Sequence, residues 1–204
     1  MKKLGIVLSL VLGTILLAGS ALAQGDKSVY FTTYYANANV AGAPDSTLRI
    51  VNDGYSGNLW ASFYVFDDSQ ELQECCSCRV SADGLLSESV NNELLANPLT
   101  SKANHAGEIA FIASSTQGPS SNTPAPGLKG NFSYDIATNT AETTVTKNAV
   151  VSNAVNQYLV LEHPLADSNL TTSHQSQLQN LCSYAITLGS GTGVCSCTPE
   201  GKDF

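Results

Sequence analysis

The chain has 204 residues, 43% of them hydrophobic and only 13% charged, with nine basic side chains against seventeen acidic ones. That balance excludes a nucleic-acid partner and an anionic membrane surface, both of which demand clustered Lys and Arg. Past the N-terminal leader, no apolar run is long enough to span a bilayer.

Met1-Lys2-Lys3 precedes a mostly apolar run from Leu4 to Ala18, and Gly19-Ser20-Ala21-Leu22-Ala23 follows before Gln24. A basic start, an apolar stretch and an Ala-x-Ala site predict a signal peptide over residues 1–23, cleaved after Ala23, and a secreted or periplasmic product. Ser20 stands where a lipoprotein box needs its acylated cysteine, so no lipid anchor is expected. Cleavage leaves residues 24–204 as one β-sandwich domain, long enough to bury a core. It also removes Lys2 and Lys3, so that seven basic residues face seventeen acidic ones and the formal charge becomes −10.

Residues 29–35, Val-Tyr-Phe-Thr-Thr-Tyr-Tyr, have the β-branched and aromatic make-up of a strand. Leu48 to Val51 predict a second strand, stopped by the turn signal Asn52-Asp53-Gly54. Leu59 to Phe66 carries bulky residues on both faces, Trp60, Tyr64 and Phe66 against Leu59, Phe63 and Val65, as a central strand covered on both sides would. Leu85 to Val90 and Glu108 to Ala113 are further strands. Residues 114–127, rich in Ser, Thr, Gln and Gly with Pro119, Pro124 and Pro126, predict a long exposed loop. Gly130 to Ile136, Glu142 to Lys147 and Gln157 to Glu162 follow as three separate strands.

One helix is expected from Thr172, with Thr172 and Gln175 at capping-box spacing. Leu178, Leu181, Cys182 and Ala185 recur at i, i+3, i+4 and i+7, which directs Cys182 to the core. Ala185 to Leu188, the turn Gly189 to Gly193, and Val194 to Cys197 read as a closing hairpin.

All six cysteines lie in Cys75-Cys76-Ser77-Cys78, Cys182 and Cys195-Ser196-Cys197. On an extended strand Cys76 and Cys78 share one face and Cys75 takes the other. Antiparallel apposition of the two clusters would pair Cys76 with Cys197, Cys78 with Cys195, and Cys75 with Cys182. Six cysteines allow fifteen connectivities, so alternation alone carries this choice. The alternative is a site in which Cys76, Cys78, Cys195 and Cys197 hold Zn²⁺ or Cu⁺ as thiolates. Structural zinc sites favour a two-residue gap between cysteines, here it is one, and an oxidising compartment favours disulfides.

Other chemistry is sparsely signalled. His105, His163 and His174 are accompanied by no Gly-x-Ser-x-Gly elbow. Asp67, Asp68, Glu71 and Glu74 offer carboxylates for Ca²⁺ or glycoside chemistry, but without EF-hand spacing they read as a solvated turn. The Gly189 to Gly193 run lacks the Lys-Ser/Thr of a phosphate loop. Tyr34, Tyr35 and Tyr55 are candidates for an aromatic binding patch.

A strand ending Val-Phe-Asp-Asp, the Glu-Cys-Cys-Ser-Cys run, a late helix bearing a cysteine and a terminal Gly-Val-Cys-Ser-Cys resemble uncharacterised secreted Cys-rich proteins of environmental bacteria. The likeness covers Leu59 to Val90 and Leu178 to Cys197 and implies no activity. The expected fold is a mainly β, antiparallel, immunoglobulin-like sandwich with one short C-terminal helix and disulfide cross-links. The expected function is that of an exported, non-catalytic structural or adhesive module at the cell surface or in the extracellular matrix, with a protein or polysaccharide partner and no cofactor. The alternative is a binding protein for a small ligand, a carbohydrate or a thiolate-bound metal.

Overall fold

The computed structural model describes residues 27–100, 104–146 and 149–197, with the backbone alone for 134–146 and 149–158. The expected signal peptide lies outside the described residues. Among the described residues nine strands form two antiparallel sheets, and an α-helix follows them. The strands are β1 (Tyr30–Ala36), β2 (Thr47–Asn52), β3 (Leu59–Asp67), β4 (Leu72–Val80), β5 (Leu85–Ser89), β6 (Ala106–Ser114), β7 (Leu128–Thr146), β8 (Ala149–Pro164) and β9 (Ala166–Asp167), and the helix is α1 (Thr172–Leu188). The first sheet has the order β4-β3-β6-β1-β9 and the second β5-β2-β7-β8.

Strand alternation decides what each face buries. Phe31, Leu59, Phe63, Val65, Ile109 and Phe111 of the first sheet meet Leu48, Ile50, Leu86 and Phe132 of the second in one core. The opposite face of the first sheet sets Tyr30, Tyr64, Cys75, Ala110 and Ile112 against Leu178, Cys182 and Ala185 of α1. β3 is therefore covered on both faces, as its two-sided bulk requires. A π-helical turn, Val90–Leu94, closed by the Leu95 N–H donating to the Val90 carbonyl at 2.8 Å, adds Val90, Leu94 and Leu95 to the core.

α1 begins at Thr172, as its sequence suggests, but is capped by the residue before it. Thr171, not Thr172, is the N-cap, and its hydroxyl accepts the His174 N–H at 3.1 Å. The Gln175 amide leaves the helix end and donates to the Asn122 carbonyl at 3.0 Å, joined there by Gln179 at 2.9 Å. Asn122 in turn donates to the Tyr64 hydroxyl at 2.6 Å, which donates to the Pro119 carbonyl at 2.6 Å. The long loop is thus pinned to β3 by the side-chain amide of the buried Asn122 and to α1 by its main-chain carbonyl.

The closing hairpin is not formed. Residues 185–188 continue α1, and residues 194–197 carry no strand pairing, because the N-terminal cap and the buried Leu178, Cys182 and Ala185 stripe hold the segment helical through Leu188. The three strands expected between 130 and 162 are likewise two. β7 and β8 pair without interruption from Asn131 opposite Pro164 to Thr146 opposite Ala149.

Candidate functional site

The cysteines lie where strand alternation puts them, Cys75 towards α1 and Cys76 and Cys78 towards the inter-sheet core. Three disulfides result: Cys75–Cys182, Cys76–Cys195 and Cys78–Cys197, with Cα separations of 5.9, 5.2 and 5.5 Å. The first is the expected pair. The other two correct the antiparallel pairing Cys76–Cys197 and Cys78–Cys195. The chain leaves α1 through the turn at Gly189 to Gly193 and then runs beside β4 in the same direction, so lower number meets lower number. The Cys75 N–H donates to the Gly193 carbonyl at 3.0 Å, and the Leu99 N–H donates to the Gln73 carbonyl at 2.8 Å.

This placement covers the outer edge of β4, which would otherwise present bare main-chain groups. The sulfurs of Cys76, Cys78 and Cys197 lie within 4.8 Å of one another. All six sulfurs are taken up in disulfides, however, which leaves none of the thiolates that the alternative site at Cys76, Cys78, Cys195 and Cys197 would need.

The remaining candidate residues are dispersed. The Asp67 carboxylate organises its own turn, accepting the Ser69 and Glu71 N–H groups at 2.9 and 3.0 Å and the Gln73 side-chain amide at 2.9 Å. Glu74 points the other way from Cys75 and is fully buried; its Oε1 accepts the Asn97 N–H at 2.7 Å, and its Oε2 has no hydrogen-bond partner among the described residues. Burial pushes its carboxyl up to about 8, against the opposing pull of that Asn97 N–H. His105 Nδ1 lies 2.7 Å from the Ala38 carbonyl, His163 stacks on Tyr34 with centroids 6.4 Å apart, and His174 meets Tyr30 edge-on at 5.1 Å.

Of the three tyrosines, Tyr34 is 53% and Tyr55 92% exposed, but Tyr35 is 1% exposed and donates its hydroxyl to the Phe66 carbonyl at 3.1 Å. Tyr35 therefore belongs to the core and not to a binding patch. Sequence reading missed a groove beside α1, where Tyr30, Phe66, Glu108, His174 and Leu178 line a cavity of about 470 Å³. Leu181 carries this groove into a second hollow of about 420 Å³ with Leu99, Tyr184 and Leu188. The exposed Leu181, Tyr184 and Leu188 at i, i+3 and i+7 were the available signal.

The other singular feature is the β7–β8 ribbon. β2 flanks β7 only from Leu128 to Ser133. From residue 134 onward no described strand lies on that side, and β7 pairs with β8 alone. At a rise of about 3.4 Å per residue the two-stranded part runs roughly 40 Å. Its main-chain polarity is fixed by two bonds: the Leu165 N–H donates to the Gly130 carbonyl and the Asp53 N–H to the Gly127 carbonyl, each at 2.9 Å. Even-numbered residues of β7 thus turn their main-chain groups to β8, and odd-numbered ones turn theirs to the β2 side.

No protein-family model and no curated protein matches the chain. Among solved structures it is similar to "Crystal Structure of Thermotoga maritima 1070", at 12% identity and a TM-score of 0.40, over 71% of this chain and 97% of that one. A likeness of that size carries neither a fold nor a function across. Among the described residues no helix is long and apolar enough to cross a membrane.

Proposed function

We propose that the chain is an exported, non-catalytic structural or adhesive module that acts at the cell surface or in the extracellular matrix on a protein or polysaccharide partner. The observation that carries this reading is the ribbon of residues 134–146 and 149–161, which leaves a cross-linked two-sheet body and whose outer main-chain edges no described strand covers. A body held by three disulfides suits an oxidising compartment, and the leader at residues 1–23 supplies the route there. The immunoglobulin-like outline and the kinship with secreted Cys-rich proteins of environmental bacteria belong to the same reading.

The test is fractionation of cells making the full chain against cells making a form whose ribbon is cut back at residues 137–158 to a two-residue turn. The full chain is expected in the surface or matrix fraction, with the shortened form released to the medium, folded and with its disulfides intact. Equal retention of the two forms would sink the adhesive role. Turnover on a broad hydrolase panel that disappears with His105→Ala, His163→Ala or His174→Ala would sink the non-catalytic one.

A second reading, a binding protein for a small ligand or carbohydrate, is supported by the groove beside α1. Ligand-induced stabilisation that Leu178→Ala abolishes would favour it over the first.

A further inference from the structure

The molecule protects its sheet edges unevenly. The β4 edge lies under residues 193–197 and is fastened there by two disulfides, β5 is only 5 residues long, and β9 only 2. Among the described residues neither the outer edge of β8, 16 residues long, nor the edge of β7 beyond Ser133 has such cover, and of the two only β7 borders a gap within its own sheet. Its sequence also lacks the devices that keep edge strands from pairing: residues 134–146 contain no Pro, no Gly and no Lys, and Asp135 and Glu142 are their only charges. A two-stranded ribbon is at best marginally stable in water, and a third strand changes that.

The gap beside it has a definite width. In the sheet β5-β2-β7-β8, β5 and β2 both stop where the ribbon begins, leaving a notch two strands wide along β7. A ribbon from another copy is also two strands wide. Odd-numbered residues from Asp135 to Val145 turn their N–H and C=O groups into that notch.

We propose that β7 of one chain pairs antiparallel with β7 of a second copy, about a two-fold axis at Thr140, to make a continuous β8-β7-β7-β8 sheet. This rests on the reading of the chain as a structural module and names its partner as another copy of itself. The register places Asp135 opposite Val145, Ala137 opposite Thr143 and Asn139 opposite Ala141, all with main-chain groups aimed across the interface. Glu142 falls opposite Thr138, so no like charges meet. The β7 surface is self-complementary, so this contact joins two copies about one two-fold axis and leaves β8 as the outer strand on each side.

The experiment uses the mature protein with its three disulfides intact and reads mass in solution by light scattering. The wild type is expected at twice the chain mass. Asn139→Pro removes an N–H that faces the notch while sparing the β7–β8 ladder, and is expected to weaken the dimer roughly tenfold or more. Thr140→Cys puts a thiol of each copy beside the axis, where opposed Cα atoms lie about 4.5 Å apart, and on oxidation by added diamide is expected to cross-link the dimer through residue 140, as peptide mass mapping would read. A monomeric wild type overturns the proposal. So does a dimer that Asn139→Pro leaves intact and Thr140→Cys does not cross-link. Loss of surface attachment with the dimer preserved would count against the surface role alone, whereas a monomer that still attaches would count against the pairing alone.

Discussion

Two residues show how tightly β4 and β6 are built. Glu74 is a carboxyl group forced into the interior beside Cys75, and its raised pKa has a definite consequence for stability. Between its ordinary value of 4.5 and about 8 the folded protein keeps a proton that the unfolded chain has released. Stability should therefore be fully present below the lower value and fall as pH rises through the window, by up to about 1.4 kcal/mol per pH unit. Thermal unfolding followed from pH 6 to 8 is expected to shift downward for the wild type and to stay nearly level for Glu74→Gln; parallel curves would refute the assignment. Gly107 acts by absence. A Cβ there would lie 1.9 Å from the Phe66 carbonyl oxygen and 2.8 Å from the Tyr35 hydroxyl, between β1 and β3. Gly107→Ala should cost about 1–3 kcal/mol, read as a lower urea midpoint, because the crowding atoms include backbone.

At the scale of elements, side-chain patterning carried most of the body and lost the arm. β1, β2, β3, β6 and α1 each bury one or two clear apolar faces, and period-2 or helical spacing places them within a few residues. β7 divides in two on the sequence because Ala137-Thr138-Asn139-Thr140-Ala141 shows no alternation between apolar and polar, and β8 is legible only from Gln157 onward. The cysteine faces were legible for the same reason that the partner direction was not. Alternation assigns sides of a strand, whereas the direction of residues 193–197 is set by where α1 ends. Asn122 was invisible, being one polar residue in a polar loop, yet it joins Tyr64, Gln175 and Gln179. Asn122→Ala should destabilise the fold by about 1–3 kcal/mol, since it deletes the buried bond to the Tyr64 hydroxyl and the side-chain oxygen 3.2 Å from Gln175 and Gln179, leaving those two only the main-chain carbonyl. Hydrogen exchange should quicken first in residues 115–127 and the first turns of α1; a uniform loss over the molecule would argue against this tether.

For the whole molecule, the arrangement of covered and open edges sets how copies can meet. Residues 193–197 lie over β4 because Cys76–Cys195 and Cys78–Cys197 hold them there, and Cys75–Cys182 separately fixes α1 to the opposite face. Changing Cys76, Cys78, Cys195 and Cys197 together to Ser should leave α1 attached but free the segment from the edge. Each lost bridge would cost about 2–4 kcal/mol by relaxing the unfolded chain. The exposed β4 edge would also add a second route of association to the one along β7. Light scattering of this variant is expected to show species that grow past two copies with time and concentration, while the wild type under the same conditions stays at a fixed size. If the quadruple variant keeps both the mass and the unfolding midpoint of the wild type, the bridges do not guard this edge, and the division between a sealed end and an associating end fails with them.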